Sequence, residues 1–282
     1  MDDLVSTGWL DAQRGARDLL VLDATYHPLE PDRDARAEFE AGHIPGAHHL
    51  DLKTLSDPGS ALPSMAPSAG AFAARLRQIG VAEATRVVLY DDAPHHTAAR
   101  AWWLFRRFGF IRVALLDGGL ARWRADGRPI ETGADRPAPA TQAMRLAPDD
   151  SWLRGKPGVA ALLPENAAML VDARSPARFE GREGDPRPGV APGHIPGSRN
   201  LRYDRLFDAD GLWKRGDALA GAFAEAGVDL ARPIVTTCGS GITAAVVAFG
   251  AHLAGARGIA LYDGSWSEWG ADPAALKAIG PA

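Results

Sequence analysis

One cysteine, Cys238, stands among the 282 residues, so no internal disulfide can brace the fold, and the lone thiol is a buried hydrophobe, an accident or a reactive group. Stability must come from burial, for which the 46 % apolar content suffices. No basic run is long enough to track a phosphate backbone, because 31 Lys and Arg are interspersed with 35 Asp and Glu and leave a formal charge of -4. Nucleic acid is therefore not expected as a partner. No apolar stretch reaches the ~18 residues that a membrane span needs, and the opening Met1-Asp2-Asp3 is acidic where a secretory leader would be basic. The expectation is a soluble, cytoplasmic protein with no membrane partner. Clustered metal ligands are wanting as well. His95 and His96 lie beside Asp91 and Asp92, but adjacent histidines match no common zinc spacing, and no metal is expected.

What the chain does contain is a repeat. Gly42-His43-Ile44-Pro45-Gly46-Ala47 returns 151 residues later as Gly193-His194-Ile195-Pro196-Gly197-Ser198. Each copy follows a β-type run ending in aspartate, Leu19 to Asp23 and Ala168 to Asp172. Each half then shows a short apolar strand (Arg86 to Tyr90, Arg232 to Thr237), a loop, and a helix with Thr-Ala-Ala beginning near Thr97 or Thr243. Asp117-Gly118 and Asp263-Gly264 follow, each before a tryptophan-bearing helix. Asp92 precedes Asp117 by 25 residues, as Cys238 precedes Asp263, so the count puts Asp92 in the place of Cys238.

Strands alternating with helices predict an α/β protein of two tandem copies, each a parallel sheet flanked by helices on both faces. Ser68 is expected to cap a helix running through Phe72, Leu76 and Ile79 to Gly80, and Asp217 to open another that ends near Gly227. Pro129, Pro137, Pro139 and Pro148 mark an extended connection. The boundaries read as one copy over 1–130, a proline-rich linker over 131–150 and a second copy over 151–282.

The chemistry concentrates in Ile234-Val235-Thr236-Thr237-Cys238-Gly239-Ser240-Gly241-Ile242-Thr243-Ala244-Ala245, which reads as strand, tight loop and helix. Ligands of such sheets bind at the carboxyl ends of strands, where the next helix aims its unpaired N–H groups and positive dipole end. Gly239 and Gly241 let the backbone fold around the sulfur as a nest for negative charge, suited to a thiolate or a persulfide. A structural cysteine would sit among large apolar neighbours, not in Gly-Ser-Gly. Cysteine phosphatases use a similar cradle but clamp phosphate with an arginine six residues after the cysteine. Ala244 occupies that position here, which argues against phosphatase chemistry.

A duplicated His-Ile-Pro-Gly unit with the active loop only in the second copy resembles the tandem rhodanese family of sulfurtransferases, over nearly the whole chain. Cys238 to Ala244, Cys-Gly-Ser-Gly-Ile-Thr-Ala, is similar to the loop of members that use 3-mercaptopyruvate, whereas users of thiosulfate carry Cys-Arg-Lys-Gly-Val-Thr-Ala. Arg178-Phe179, Asp185-Pro186-Arg187 and Pro192 to Gly197 resemble the family's substrate-binding stretch. The resemblance implies a Cys238 persulfide, assistance from Ser240, and donor binding by Arg178, Arg187, Gly239, Gly241, Ile242 and Thr243. It implies a small-molecule sulfur donor and a thiol acceptor, such as a small thiol or a thioredoxin-like protein, or cyanide. No cofactor is implied.

Guanidinium forks suit a planar carboxylate beside a carbonyl. Thiosulfate, a compact dianion, would be better met by cations in the loop, which has none. It remains the alternative donor, and a non-catalytic binding module the alternative of another class. For Arg178 and Arg187 the competing reading is an ion pair with Glu180, Glu183 or Asp185. Some family members activate the loop serine through a histidine and an aspartate of the first domain. No histidine lies between His49 and His95, so water or the substrate is expected to move the proton. His43, His194, Asp23, Asp172, Asp117 and Asp263 recur in both copies and read as structural. Trp266 reads as core or as pocket lining.

Overall fold

The computed structural model describes residues 1–140, 145–163 and 167–281. Five strands form the first sheet: β1 (Leu4–Val5), β2 (Leu19–Asp23), β3 (His48–His49), β4 (Arg86–Tyr90) and β5 (Val113–Leu116), in the order β1-β5-β4-β2-β3. The second comprises β6 (Leu153–Arg154), β7 (Met169–Asp172), β8 (Arg199–Asn200), β9 (Ile234–Thr237) and β10 (Ile259–Tyr262), in the order β6-β10-β9-β7-β8. All the pairings are parallel, and the two orders are the same order.

The central strands are apolar without alternation because helices cover both faces. Val21, Val88, Tyr90, Ala114 and Leu116 pack on one side of the first sheet with Phe39, Ile44 and Trp123. Leu22, Val87, Leu89, Val113 and Leu115 are buried on the other. The second sheet repeats this, with Leu170, Val235, Ala260 and Tyr262 packing against Ile195, Trp266 and Trp269.

Ser68 caps the helix Ala69–Gln78 by accepting the Ala71 N–H at 3.2 Å. The helix Gly216–Glu225 starts one residue earlier than expected, leaving Asp217 in its first turn, where a carboxylate still favours the helix dipole. Among the described residues no helix is long and apolar enough to cross a membrane.

The chain forms two compact units, one from residues 1–58, 66–149 and 210–212, the other from 59–65, 150–209 and 213–282. Of the expected linker 131–150, residues 141–144 lie outside the described residues. Its flanks are bonded into the first unit, through Glu131 with His43, Ala140 N–H to Arg77 O and Ala147 N–H to Phe108 O.

The recurrent histidines do the same work in both units. His43 Nδ1 donates to Phe39 O at 2.7 Å, and its ring stacks on Phe39 at 3.8 Å. His194 Nδ1 donates to Phe179 O at 2.9 Å and stacks on Phe179 at 3.7 Å.

The expected counterpart of Cys238 requires a correction. Asp23 pairs with Tyr90 and Asp172 with Thr237, so the residue leaving each central strand is Asp91 in the first unit and Cys238 in the second. The first loop is one residue longer, and counting back from Asp117 hid the insertion. Asp92 instead pairs with Arg124 at 2.6 Å. Asp91 accepts the Ala98 N–H at 2.6 Å at the head of the helix Ala98–Arg107, so the first unit fills its own anion cradle with a carboxylate.

Burial pushes Asp91 up to about 7, against the help of the Ala98 and Ala93 amides. The folded state therefore holds this proton more tightly than the unfolded chain. Its stabilising contribution is present at low pH and is lost as pH rises from about 4 to about 7. Asp91→Asn, which cannot ionise, should gain stability relative to the wild type between pH 5 and pH 8. Thermal melts at both pH values check this, and parallel pH profiles would refute it.

Candidate active site

β9 ends at Thr237, and Cys238 opens a loop that closes at Gly241, the N-cap (φ 79°) of the twelve-residue helix Ile242–Leu253. That helix is apolar nearly all round and buried along its length, which anchors its N-terminus beside the carboxyl end of the central strand β9. Cys238 is only 2 % exposed, yet its surroundings are polar. Gly241 N–H donates to Cys238 Sγ at 3.1 Å. Ile242 and Thr243 form the first helical turn, whose N–H groups have no partner within the helix. The loop carbonyls face the other way: Cys238 O accepts from Trp266 N–H at 2.9 Å and Gly239 O from Ser267 N–H at 3.0 Å. Ser240 is buried within the loop, and Thr237 Oγ1, just before the cysteine, is buried with no hydrogen-bond partner among the described residues.

Arg178 and Arg187 converge on this loop. Arg178 is the penultimate residue of the one-turn helix Pro176–Phe179, which Ser175 caps. Asp185, whose side chain is 0 % exposed, binds Arg178 Nη2 and Arg187 Nη1 and also accepts the Arg187 backbone N–H. A β-carbon added at Gly239 would lie 3.3 and 3.4 Å from the two Nη atoms of Arg187 and 3.5 Å from Arg178 Nη2. The arginines thus pair with an acid, as the competing reading had it, and at the same time stand over the loop. Glycine at 239 leaves room for both, and Arg178 Nε remains buried without a partner among the described residues.

Other participants escaped the sequence reading. Arg174 is buried, binds Asp172 at 2.7 Å and the Gly193 carbonyl at 2.8 Å, and stacks its guanidinium 4.7 Å from the centre of Trp266. It locks the His-Ile-Pro-Gly turn to the end of β7. Nothing in the sequence singled it out beyond its position two residues after the strand-ending aspartate. Trp266, expected in core or pocket, is core: it is 1 % exposed and donates to Ala191 O at 2.9 Å.

The model of the rhodanese-like domain matches the chain twice, over residues 6–126 and 158–272. The chain is 42 % identical, over 94 % of its length and 91 % of the relative's, to the 3-mercaptopyruvate sulfurtransferase of Homo sapiens. It is 35 % identical, over 96 % of its length and 77 % of the relative's, to thiosulfate/3-mercaptopyruvate sulfurtransferase 1 of Arabidopsis thaliana. The crystal structure of SseA from Escherichia coli, a 3-mercaptopyruvate sulfotransferase by its description, superposes with a TM-score of 0.85 at 35 % identity, covering 94 % of this chain and 99 % of that one.

Proposed function

Because the chain belongs to the rhodanese family, in two tandem copies, we propose that it is a 3-mercaptopyruvate sulfurtransferase whose second copy carries sulfur on Cys238. The observation that carries this reading is the convergence of Arg178 and Arg187 on the loop in which Gly241 N–H meets Cys238 Sγ. The two guanidinium groups share one buried carboxylate, Asp185, and so keep one net positive charge for a donor bearing a single carboxylate. The first copy, with Asp91 at the corresponding strand end, has no thiol to contribute.

In the first half-reaction the arginines hold the donor's carboxylate and ketone, and the Cys238 thiolate attacks its sulfur. The new S–S bond forms as the donor's C–S bond breaks. The electron pair passes into the enolate of pyruvate, which takes a proton from water. Ser240 donates a hydrogen bond to the departing enolate, and the amides of Gly241, Ile242 and Thr243 stabilise the persulfide. In the second half-reaction an acceptor thiolate, or cyanide, attacks the outer sulfur and regenerates Cys238. A small thiol or a thioredoxin-like protein fits as acceptor, and the route requires no cofactor or metal. We assign the reaction to the cytoplasm, where reductants keep a single cysteine available, and we take 131–150 as the connection between the copies.

Thiosulfate is the second reading, favoured by the dual name of the Arabidopsis relative. One experiment tests both: intact mass after brief exposure to each donor. A gain of one sulfur atom on Cys238 with 3-mercaptopyruvate, faster than with thiosulfate, is expected. No gain with either donor would leave a binding module.

A further inference from the structure

Ser265, which opens the helix Ser265–Trp269 after β10, has a φ of 50°. That is left-handed backbone, which a residue with a β-carbon adopts only against strain. Its counterpart in the first unit, two residues beyond Asp117 as Ser265 is beyond Asp263, is Gly119, with a φ of 56°. The two turns make the same bond to their loops. Leu120 N–H donates to Asp91 O at 3.0 Å, and Trp266 N–H to Cys238 O at 2.9 Å. Glycine is the unstrained residue for this turn, and in the first unit a β-carbon would lie 2.4 Å from Asp91 O. The second unit keeps a side chain there nonetheless.

That side chain does one thing glycine cannot. Ser265 Oγ accepts the Cys238 backbone N–H at 3.2 Å while donating to Tyr262 O at 2.8 Å, and the residue is fully buried. With the Trp266 and Ser267 amides on the Cys238 and Gly239 carbonyls, residues 265–267 hold the backbone on both sides of the Cys238 α-carbon. Only the serine bond comes from a side chain. A turn kept strained to make a contact with the sulfur-bearing residue points to function, since stability alone favours the glycine that the first unit uses.

We propose that Ser265 is a positioning residue for sulfur transfer: its hydroxyl takes up the Cys238 N–H and so fixes the direction in which the sulfur leaves the backbone, toward the Gly241 amide and the incoming donor. This rests on the reading of Cys238 as the sulfur carrier.

Ser265→Gly and Ser265→Ala separate the strain from the hydroxyl. Persulfide formation is followed by quenched-flow intact mass with 3-mercaptopyruvate, alongside thermal melts. Ser265→Gly, which relieves the strained turn but gives up both hydroxyl bonds, should melt near the wild-type Tm, yet form the persulfide about tenfold more slowly, the scale of the one lost bond to Cys238. The donor concentration at half-saturation should not change, because Arg178 and Arg187 are untouched. Ser265→Ala should be as slow but less stable than Ser265→Gly. A wild-type rate in Ser265→Gly overturns the proposal, as does a slow rate accompanied by an equal fall in Tm in both variants. If the wild type itself gains no sulfur, the reading of Cys238 fails and the positioning role with it.

Discussion

Cys238→Ser should abolish sulfur transfer with either donor and leave the protein folded. The backbone around residue 238 is held at its carbonyl by Trp266 N–H, at its N–H by Ser265 Oγ and at the Gly239 carbonyl by Ser267 N–H, and none of these bonds involves the thiol. A serine hydroxyl is slightly smaller than the thiol and can still accept the Gly241 N–H that now reaches Sγ at 3.1 Å. It cannot form a persulfide. With one cysteine in the chain no other thiol can substitute, so turnover should fall by at least about a thousandfold, to the uncatalysed background. Steady-state pyruvate release, intact mass after donor treatment and a thermal melt together check the claim. Residual turnover in a folded variant would mean that sulfur moves without a covalent stop on this residue.

The second large effect is expected at Arg178 and Arg187. Lysine preserves the charge but loses the planar fork that matches a carboxylate beside a ketone. Each lysine substitution should cost about 1 to 3 kcal/mol in kcat/KM for 3-mercaptopyruvate. The two should not add, because Asp185 binds both guanidinium groups and moving one frees the carboxylate to reorient the other. A double variant no worse than the poorer single variant would express that coupling. Wild-type kcat/KM in both single variants would refute the assignment. The same crowding bears on exchanging Gly239-Ser240 for the Arg-Lys pair of thiosulfate users. A β-carbon at 239 already meets Arg187 at 3.3 Å, so an arginine there would oppose two guanidinium groups of its own sign. The exchange should cost 3-mercaptopyruvate turnover, and thiosulfate turnover should rise only when Arg187 is shortened as well. Thiosulfate turnover that rises with Arg187 intact would show that the two cation arrangements are compatible.

The sequence by itself determined the class of fold and the duplication, and it pointed to the loop proposed for the chemistry. These rest on local or repeated patterns: apolar runs buried on both faces, such as Val87 to Tyr90; caps such as Ser68; the two His-Ile-Pro-Gly turns; and a cysteine between a strand and a helix. It also singled out Arg178 and Arg187, through their resemblance to a substrate-binding stretch and the match between a guanidinium fork and a ketoacid. Tertiary structure decided what depends on strand register and on contacts between distant residues. Register made Asp91, not Asp92, the counterpart of Cys238, because one inserted loop residue displaces the count back from Asp117 by one. Burial turned Asp172 from a repeated turn residue into the partner of Arg174, and Asp185 from one acid among several into the bridge between the two arginines. The assembly of each unit from separate segments, such as 59–65 and 210–212, has no local signature. Nor has Ser265, which meets Cys238 across 27 residues of sequence. A hydrogen bond of that kind is set by where two parallel strands end relative to each other, and those ends align only once the whole sheet has packed between its helices.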